Sequence, residues 1–260
     1  MRKDKGVVLV KFFVVADVHG FYDELKKALD EAGFDKDNEN HFFVSLGDLL
    51  DRGPKPRECM EFVMSLPEDR RILICGNHEV LMEEALCGHR LMSHDYHNGT
   101  AQTIFDVTGI TEKDAALRAM FNDPLYNSYI QEVIDYAETK TAIFVHGWIP
   151  CGRHTKMSYY GDHKWIYDPF EGRDWRDATA AEWDAARWWN GMAAWADGVR
   201  EKGKTIFCGH WHTAWGHTHI HHVGNELDKN NYGPFVDDGI VALDGCTAYT
   251  KRVNVYTFEE

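Results

Sequence analysis

The sequence predicts an α/β protein, and three observations carry that prediction. Seven short apolar runs are rich in Val, Ile and Phe, helical patterns separate the first of them, and turn residues follow the runs. Runs of this length and composition favour buried strands over helices. Strands are expected at residues 7–16, 41–46, 71–75, 141–145, 205–208, 239–243 and 252–258. The first is followed by a helix with Phe21, Leu25, Ala28 and Leu29 in its pattern. The second is followed by one that Pro54 and Pro56 open and that carries Met60, Val63 and Met64. A β-α-β-α-β order implies parallel strands and right-handed crossovers. The C-terminal third reads as mostly strand.

Two segments interrupt this pattern. Residues 84–138 are helical and irregular. Residues 152–203 hold Trp165, Trp175, Trp183, Trp188, Trp189 and Trp195, too many for a flexible linker, and 178–196 has helical composition. Both are expected as insertions on a single domain covering 1–260. No internal repeat or low-complexity tract argues for a solenoid or a disordered tail.

Charge excludes several partners. The chain carries 28 Lys and Arg against 42 Asp and Glu, a net charge of −14, so it repels nucleic acid phosphates and anionic membrane surfaces. Its longest apolar run, 7–16, has Lys11 inside it and is far short of the roughly 20 residues a membrane span needs. That run also lacks a signal-peptide cleavage region, so the expected location is the cytoplasm. Six scattered cysteines without a CxxC pair argue against both a disulfide framework and a zinc–thiolate site. Fifteen histidines make a metal site the first thing to test.

The chemistry sits at the strand ends. After the first strand comes Asp17-Val18-His19-Gly20, and after the second Gly47-Asp48-Leu49-Leu50-Asp51-Arg52-Gly53. The third ends in Gly76-Asn77-His78-Glu79, the fourth in His146-Gly147, the fifth in Gly209-His210-Trp211-His212. A lone Gly-Asp is commonly a turn, but five such groups at successive strand ends converge on one rim of an open α/β sheet. Carboxylate, imidazole and one amide oxygen without thiolate suit Mn²⁺, Fe or Zn²⁺. The number of ligands implies two ions, which together clamp an in-line displacement at phosphorus.

These motifs resemble the calcineurin-like metallophosphoesterase superfamily. Gly-Asp-x-x-Asp-Arg-Gly with Gly-Asn-His-Glu narrows the resemblance to the phosphoprotein phosphatase branch, which includes bacterial serine/threonine phosphatases and symmetrical diadenosine tetraphosphatases. The resemblance implies two packed mixed β-sheets flanked by helices, a four-layer α-β-β-α fold. It also implies two divalent metal ions, with Mn²⁺ expected and Fe, Zn²⁺ and Ni²⁺ as alternatives. By the same resemblance Asp17 and His19 hold the first metal, Asp48 bridges, and Asn77, His146 and His210 complete the second. His212 is either a further ligand of the first metal or a bystander.

His78 takes the place of the general acid, with Asp51 holding its other ring nitrogen, and Arg52 offers a planar fork to phosphoryl oxygens. Asn77 is also placed to touch substrate. Arg187 is a candidate second phosphate-binding arginine, against an ordinary helix-face arginine stacked on tryptophan. Glu79 is expected to open a helix near the metals in a structural role. His217, His219 and His221 alternate and are expected on one face of a strand. The tryptophans could stack on a nucleotide base, though large aromatics are more often core.

The expected activity is hydrolysis of a phosphomonoester, on a phosphoprotein or a small phosphorylated substrate, by attack of a metal-bridging hydroxide. The alternative is a dinucleoside polyphosphate hydrolase. A phosphodiesterase or nuclease would need a basic path that the charge argues against, and a non-catalytic scaffold would have lost a ligand.

Overall fold

The computed structural model describes residues 9–157 and 163–260; Val7 and Val8, which open the first expected strand, lie outside the described residues. The chain begins β1 (Lys11–Val15), α1 (Tyr22–Ala32), β2 (His41–Ser45), α2 (Pro56–Ser65) and β3 (Arg71–Leu73). This is the expected β-α-β-α-β order, and both strand pairs are parallel, with Phe12 opposite Phe42 and Val44 opposite Ile72. Helix α1 buries Leu25 and Leu29 and ends at Gly33, whose φ of +80° is the left-handed cap that glycine accepts most easily. Helix α2 starts on Pro56, where a missing N–H costs nothing.

A helical stretch follows, comprising α3 (Asn77–Cys87), α4 (Ser93–Asn98), α5 (Thr100–Thr108), α6 (Lys113–Phe121) and α7 (Pro124–Ile130). Next come β4 (Ala137–Glu138), β5 (Ala142–Phe144), the hairpin strands β6 (Gly152–Met157) and β7 (His163–Asp168), α8 (Ala180–Ala186) and α9 (Gly191–Ala196). The chain closes with β8 (Thr205–Cys208), α10 (Thr213–His219), β9 (Phe235–Asp237), β10 (Ile240–Ala242), α11 (Thr247–Thr250) and β11 (Val255–Glu259).

One sheet runs β11-β1-β2-β3 and is parallel except for β11 at one edge; a second runs β4-β5-β8-β10-β9, parallel at its centre with antiparallel β4 and β9 at its edges; β6 and β7 pair antiparallel as a separate two-stranded sheet. Alternation along the strands sorts the side chains into layers. Phe13 and Val15 of β1 face the α1–α7 side, while Phe12 and Val14 face the second sheet. Likewise Ile206 and Cys208 of β8 face α8 and α9, while Phe207 points between the sheets. Phe258 of β11 stacks on both Phe12 and Phe207 there, at ring distances of 4.8 and 5.1 Å. The result is helix, sheet, sheet, helix, with the carboxyl ends of β1, β2, β3, β5 and β8 converging on one site.

Two expectations fail. The C-terminal third is not mostly strand, because α8 to α11 alternate with its short strands. His217, His219 and His221 do not share a strand face: His217 and His219 are in α10, and His221 lies just past its end. There His217 and His221, four apart, pack on Phe235 at 5.6 and 4.4 Å. The operative spacing was the helical four, not the extended two. Of the six tryptophans, Trp175, Trp183, Trp189 and Trp195 are core, and Trp165 and Trp188 are about half exposed. No helix among the described residues is long and apolar enough to cross a membrane.

Candidate metal centre

Three of the five strand-end motifs, those after β1, β2 and β8, leave their strands through left-handed residues. Asp17, His19, Asp48, Asp51, Arg52 and His210 all have φ between 50° and 65°. This region is sparse for residues with a Cβ, though Asp and His tolerate it better than most. The side chains are thereby swung off the alternating strand faces and over the rim.

Two buried triads form there and share a carboxylate: His19, Asp48 and His78, and Asp48, His146 and His210, with ligand atoms in each within 4.8 Å of one another. Asn77 joins the second, because its Oδ1 stands 2.9 Å from both His146 Nε2 and His210 Nδ1. Ligand atoms around an ion with bonds of about 2.1 Å lie about 3 Å apart, so this spacing fits a metal. The far nitrogens are already committed: His146 Nδ1 donates to the Leu46 carbonyl at 2.7 Å and His19 Nδ1 to that of Leu50 at 3.1 Å. Such partners fix the tautomer and leave the inner nitrogen bare for a metal. Burial also lowers the pKa of His19 well below its usual value and that of His210 to about 3, keeping both in the neutral, ligating form.

The carboxylates are crowded. Burial, then repulsion from Asp244, raises Asp17 well above the carboxylate range, and burial pushes Asp244 up to about 7. Burial also acts against ionised Asp48, but His146, His78, His19 and His210 around it outweigh that and hold its pKa low. Asp48 Oδ1 accepts the His78 N–H at the start of α3 at 2.9 Å, where the helix end favours negative charge. A buried cluster of Asp17, Asp48 and Asp244 without a fixed cation is unfavourable, so the donor set fits divalent ions.

His78 Nδ1 lies 2.7 Å from Asp51 Oδ2, and its Nε2 lies 2.8 Å from Arg52 Nη2. Burial works against protonating His78, yet Asp48 and the Asp51 hydrogen bond outweigh it and raise its pKa. Arg52 spans the rim, donating also to His19 Nε2 at 2.8 Å. Since guanidinium only donates, both imidazole Nε2 atoms are bare in this arrangement; protonating His78 there requires Arg52 to move onto an anion.

Two expected residues point elsewhere. His212 belongs to neither triad: its Nε2 lies 3.3 Å from Glu226 Oε2 and its ring packs on Tyr232. Arg187 is neutralised by Asp135, through Nη2, and by Asp184, 3.3 Å from Nη1. Asp17 is at the centre but in neither triad; its carboxylate accepts the His210 N–H.

Three residues escaped the sequence reading. Asp244 follows β10 as Asp-Gly, a carboxylate beside a glycine at a strand end, in the reverse order to Gly47-Asp48. Thr100 Oγ1 donates to Asp51 Oδ2, and Tyr129 Oη to Glu79 Oε1. Glu79 in turn accepts the backbone N–H groups of Asp48, Leu49 and Gly76 at 2.9, 3.1 and 2.8 Å, pinning the bridging residue from behind.

Comparison with known proteins agrees with this geometry. A family model described as calcineurin-like phosphoesterase matches residues 10–214. A symmetrical bis(5′-nucleosyl)-tetraphosphatase of Coxiella burnetii is 28% identical over 138 residues, 53% of this chain and 42% of that protein. The corresponding protein of Psychromonas ingrahamii is 43% identical over 68 residues, 26% of this chain and 24% of that one. The chain thus spans less than half the length of these curated relatives. Among solved structures, a Saccharomyces cerevisiae protein serine/threonine phosphatase superposes with a TM-score of 0.52 at 12% identity, covering 98% of this chain and 82% of that one. A candidate diadenosine tetraphosphatase gives 0.53 at 14%, covering 97% and 90%. At these identities the structures speak for the fold.

Proposed function

The chain belongs to the calcineurin-like phosphoesterase family, and we propose that it hydrolyses phosphomonoesters at the Asp48 centre. The observation that carries this reading is the pair of triads sharing Asp48, with Arg52 reaching both His19 and His78 of the first. Asp17, His19 and Asp48 would hold one divalent ion, and Asp48, Asn77, His146 and His210 the other, with Mn²⁺ the first choice. When bound, the ions supply Lewis acidity to the phosphoryl group and ease deprotonation of the attacking water.

The chain's own residues do the rest. With His19 Nε2 given to an ion, Arg52 would turn its fork to phosphoryl oxygens, which frees His78 Nε2 to carry a proton. As water's oxygen bonds to phosphorus, the bond to the leaving oxygen breaks with its electron pair, and His78 gives that oxygen its Nε2 proton. The water's lost proton balances the count, leaving alcohol and phosphate. Asp51 holds the Nδ1–H and stabilises the imidazolium before transfer.

A second reading, dinucleoside polyphosphate hydrolysis, draws support from Trp188. Its ring is 45% exposed and stands edge-on to His210 at 5.7 Å, where a base could stack. The names of the matched relatives point the same way. The test is a panel of p-nitrophenyl phosphate, a phosphopeptide, mononucleotides and diadenosine tetraphosphate with Mn²⁺, Fe²⁺, Zn²⁺ or Ni²⁺. Turnover of monoesters is expected, with His78→Asn losing about 10²-fold or more in kcat while still binding metal. A wild type inert with every metal refutes both readings; cleavage of the dinucleotide alone selects the second.

A further inference from the structure

Thr100, the first residue of α5, is fully buried, and its hydroxyl donates to Asp51 Oδ2 at 2.7 Å. The same oxygen receives His78 Nδ1, also at 2.7 Å, while Asp51 Oδ1 is buried without a partner. The preceding residue is fitted as closely. Gly99 has φ +96°, and a Cβ on it would stand 2.4 Å from the Arg52 nitrogen and 3.0 Å from its Cα. The α4–α5 corner therefore lies directly against the left-handed Asp51-Arg52 pair, with one hydroxyl reaching the carboxylate. Neither Gly99 nor Thr100 is part of a strand-end motif; the helical stretch supplies both.

From these contacts we propose that Thr100 is a positioning residue for proton delivery: its hydroxyl fixes the Asp51 carboxylate that aims His78 at the leaving oxygen. A carboxylate turns about a broad torsion, so one donor at Oδ2 leaves it free to swing with the imidazole. A second donor, from a different element and at the same oxygen, selects one orientation. The imidazole then meets a fixed partner at Nδ1, and Nε2 keeps a fixed direction. The inference rests on the phosphoesterase reading above.

A hydroxyl that merely satisfies a buried group predicts something different. Its loss would slow every substrate alike, whereas a misaimed acid harms most the ester whose leaving oxygen is the strongest base. The comparison uses Thr100→Val, which keeps the volume and removes the hydroxyl, and Thr100→Ser, which keeps the hydroxyl. Thr100→Ala carries the same comparison if the Val variant does not fold. The Mn²⁺-loaded full chain is assayed for kcat and KM on p-nitrophenyl, phenyl and ethyl phosphate.

For Thr100→Val the loss in kcat should grow along that series, by about tenfold or more from first to last, with KM within about twofold. Thr100→Ser should restore the wild-type dependence. Independently of turnover, the His78 Nδ1–H proton resonance should move in the Val variant and return in the Ser variant. A loss uniform across the three esters overturns the proposal. If the wild type hydrolyses none of them, the phosphoesterase reading fails, and an unmoved resonance would then overturn the Thr100 link as well.

Discussion

Glu79→Gln offers the sharpest check on how the bridging carboxylate is held. The Glu79 carboxylate has four donors around it: Asp48 N–H and Gly76 N–H on Oε2, Leu49 N–H and the Tyr129 hydroxyl on Oε1. A carboxylate only accepts, so the match is complete. An amide of the same shape has one oxygen. That oxygen must stay on the Asp48 and Gly76 side, where both donors are backbone, and the amide nitrogen then faces Leu49 N–H. The Tyr129 hydroxyl can turn and accept; the Leu49 amide cannot.

One buried N–H is left unpaired, at about 1–3 kcal/mol, and the two remaining backbone bonds lose their charge assistance. Some of this is offset, because burial first and repulsion by Asp48 second raise the Glu79 pKa, so its charge is itself costly. A net loss of about 2–3 kcal/mol corresponds to a drop in Tm of about 4–12 °C for a chain of this size. Because the lost partners hold Asp48 from behind, Mn²⁺ affinity should fall by about 10–100-fold. Thermal unfolding of the metal-free protein and calorimetric Mn²⁺ titration measure the two effects. A Tm within about 1 °C of wild type together with unchanged affinity would show that Glu79 holds nothing that matters.

Two further outcomes follow from the same geometry. Burial raises Asp17 well above its usual range and pushes Asp244 up to about 7, so the metal-free centre binds protons that a cation must displace. Mn²⁺ binding at pH 6 should release protons, and affinity should climb as pH rises to about 7; calorimetry in two buffers of different ionisation enthalpy detects this, and binding without proton release contradicts it. At Gly76 a Cβ would stand 2.2 Å from Asp48 Oδ1 and 2.7 Å from Glu79 Oε2, so Gly76→Ala should cost roughly 1–3 kcal/mol and displace the bridging carboxylate. Metal analysis should find fewer than two ions per chain, and a full complement of two would refute the argument.

What could be read from the sequence was what lies close together in it. Asp48, Asp51 and Arg52 share one turn, and the apolar run before them announces the strand that aims them. Thr100 and Tyr129 reach partners 49 and 50 residues away, from helices whose patterns carry only packing information. Nothing local marks either hydroxyl. Asp244 was legible as a carboxylate beside a glycine at the end of an apolar run, but it carries no second motif residue beside it. The 217–221 histidines misled because a period of two is visible over five residues, whereas the i, i+4 pair on Phe235 shows only once that phenylalanine is placed.

The left-handed turns at the rim make the glycines part of the chemistry. A residue at the end of a strand ordinarily continues the alternation and points into one of the two cores. A single residue at φ 50–65° breaks that alternation, at a conformational cost of order 1–3 kcal/mol, and the surroundings must hold it there. Gly47, Gly76 and Gly209 allow this by letting the neighbouring segments close to distances no side chain permits. A Cβ would come within 2.6 Å of the Gly76 nitrogen at Gly47, and within 2.3 Å of Asp17 Oδ2 at Gly209. The strand ends are thus packed tightly enough to keep six strained residues in register, with their side chains directed over the rim. Side chains already ordered by the backbone around them lose less freedom on binding a ligand, which is the physical use of the strain.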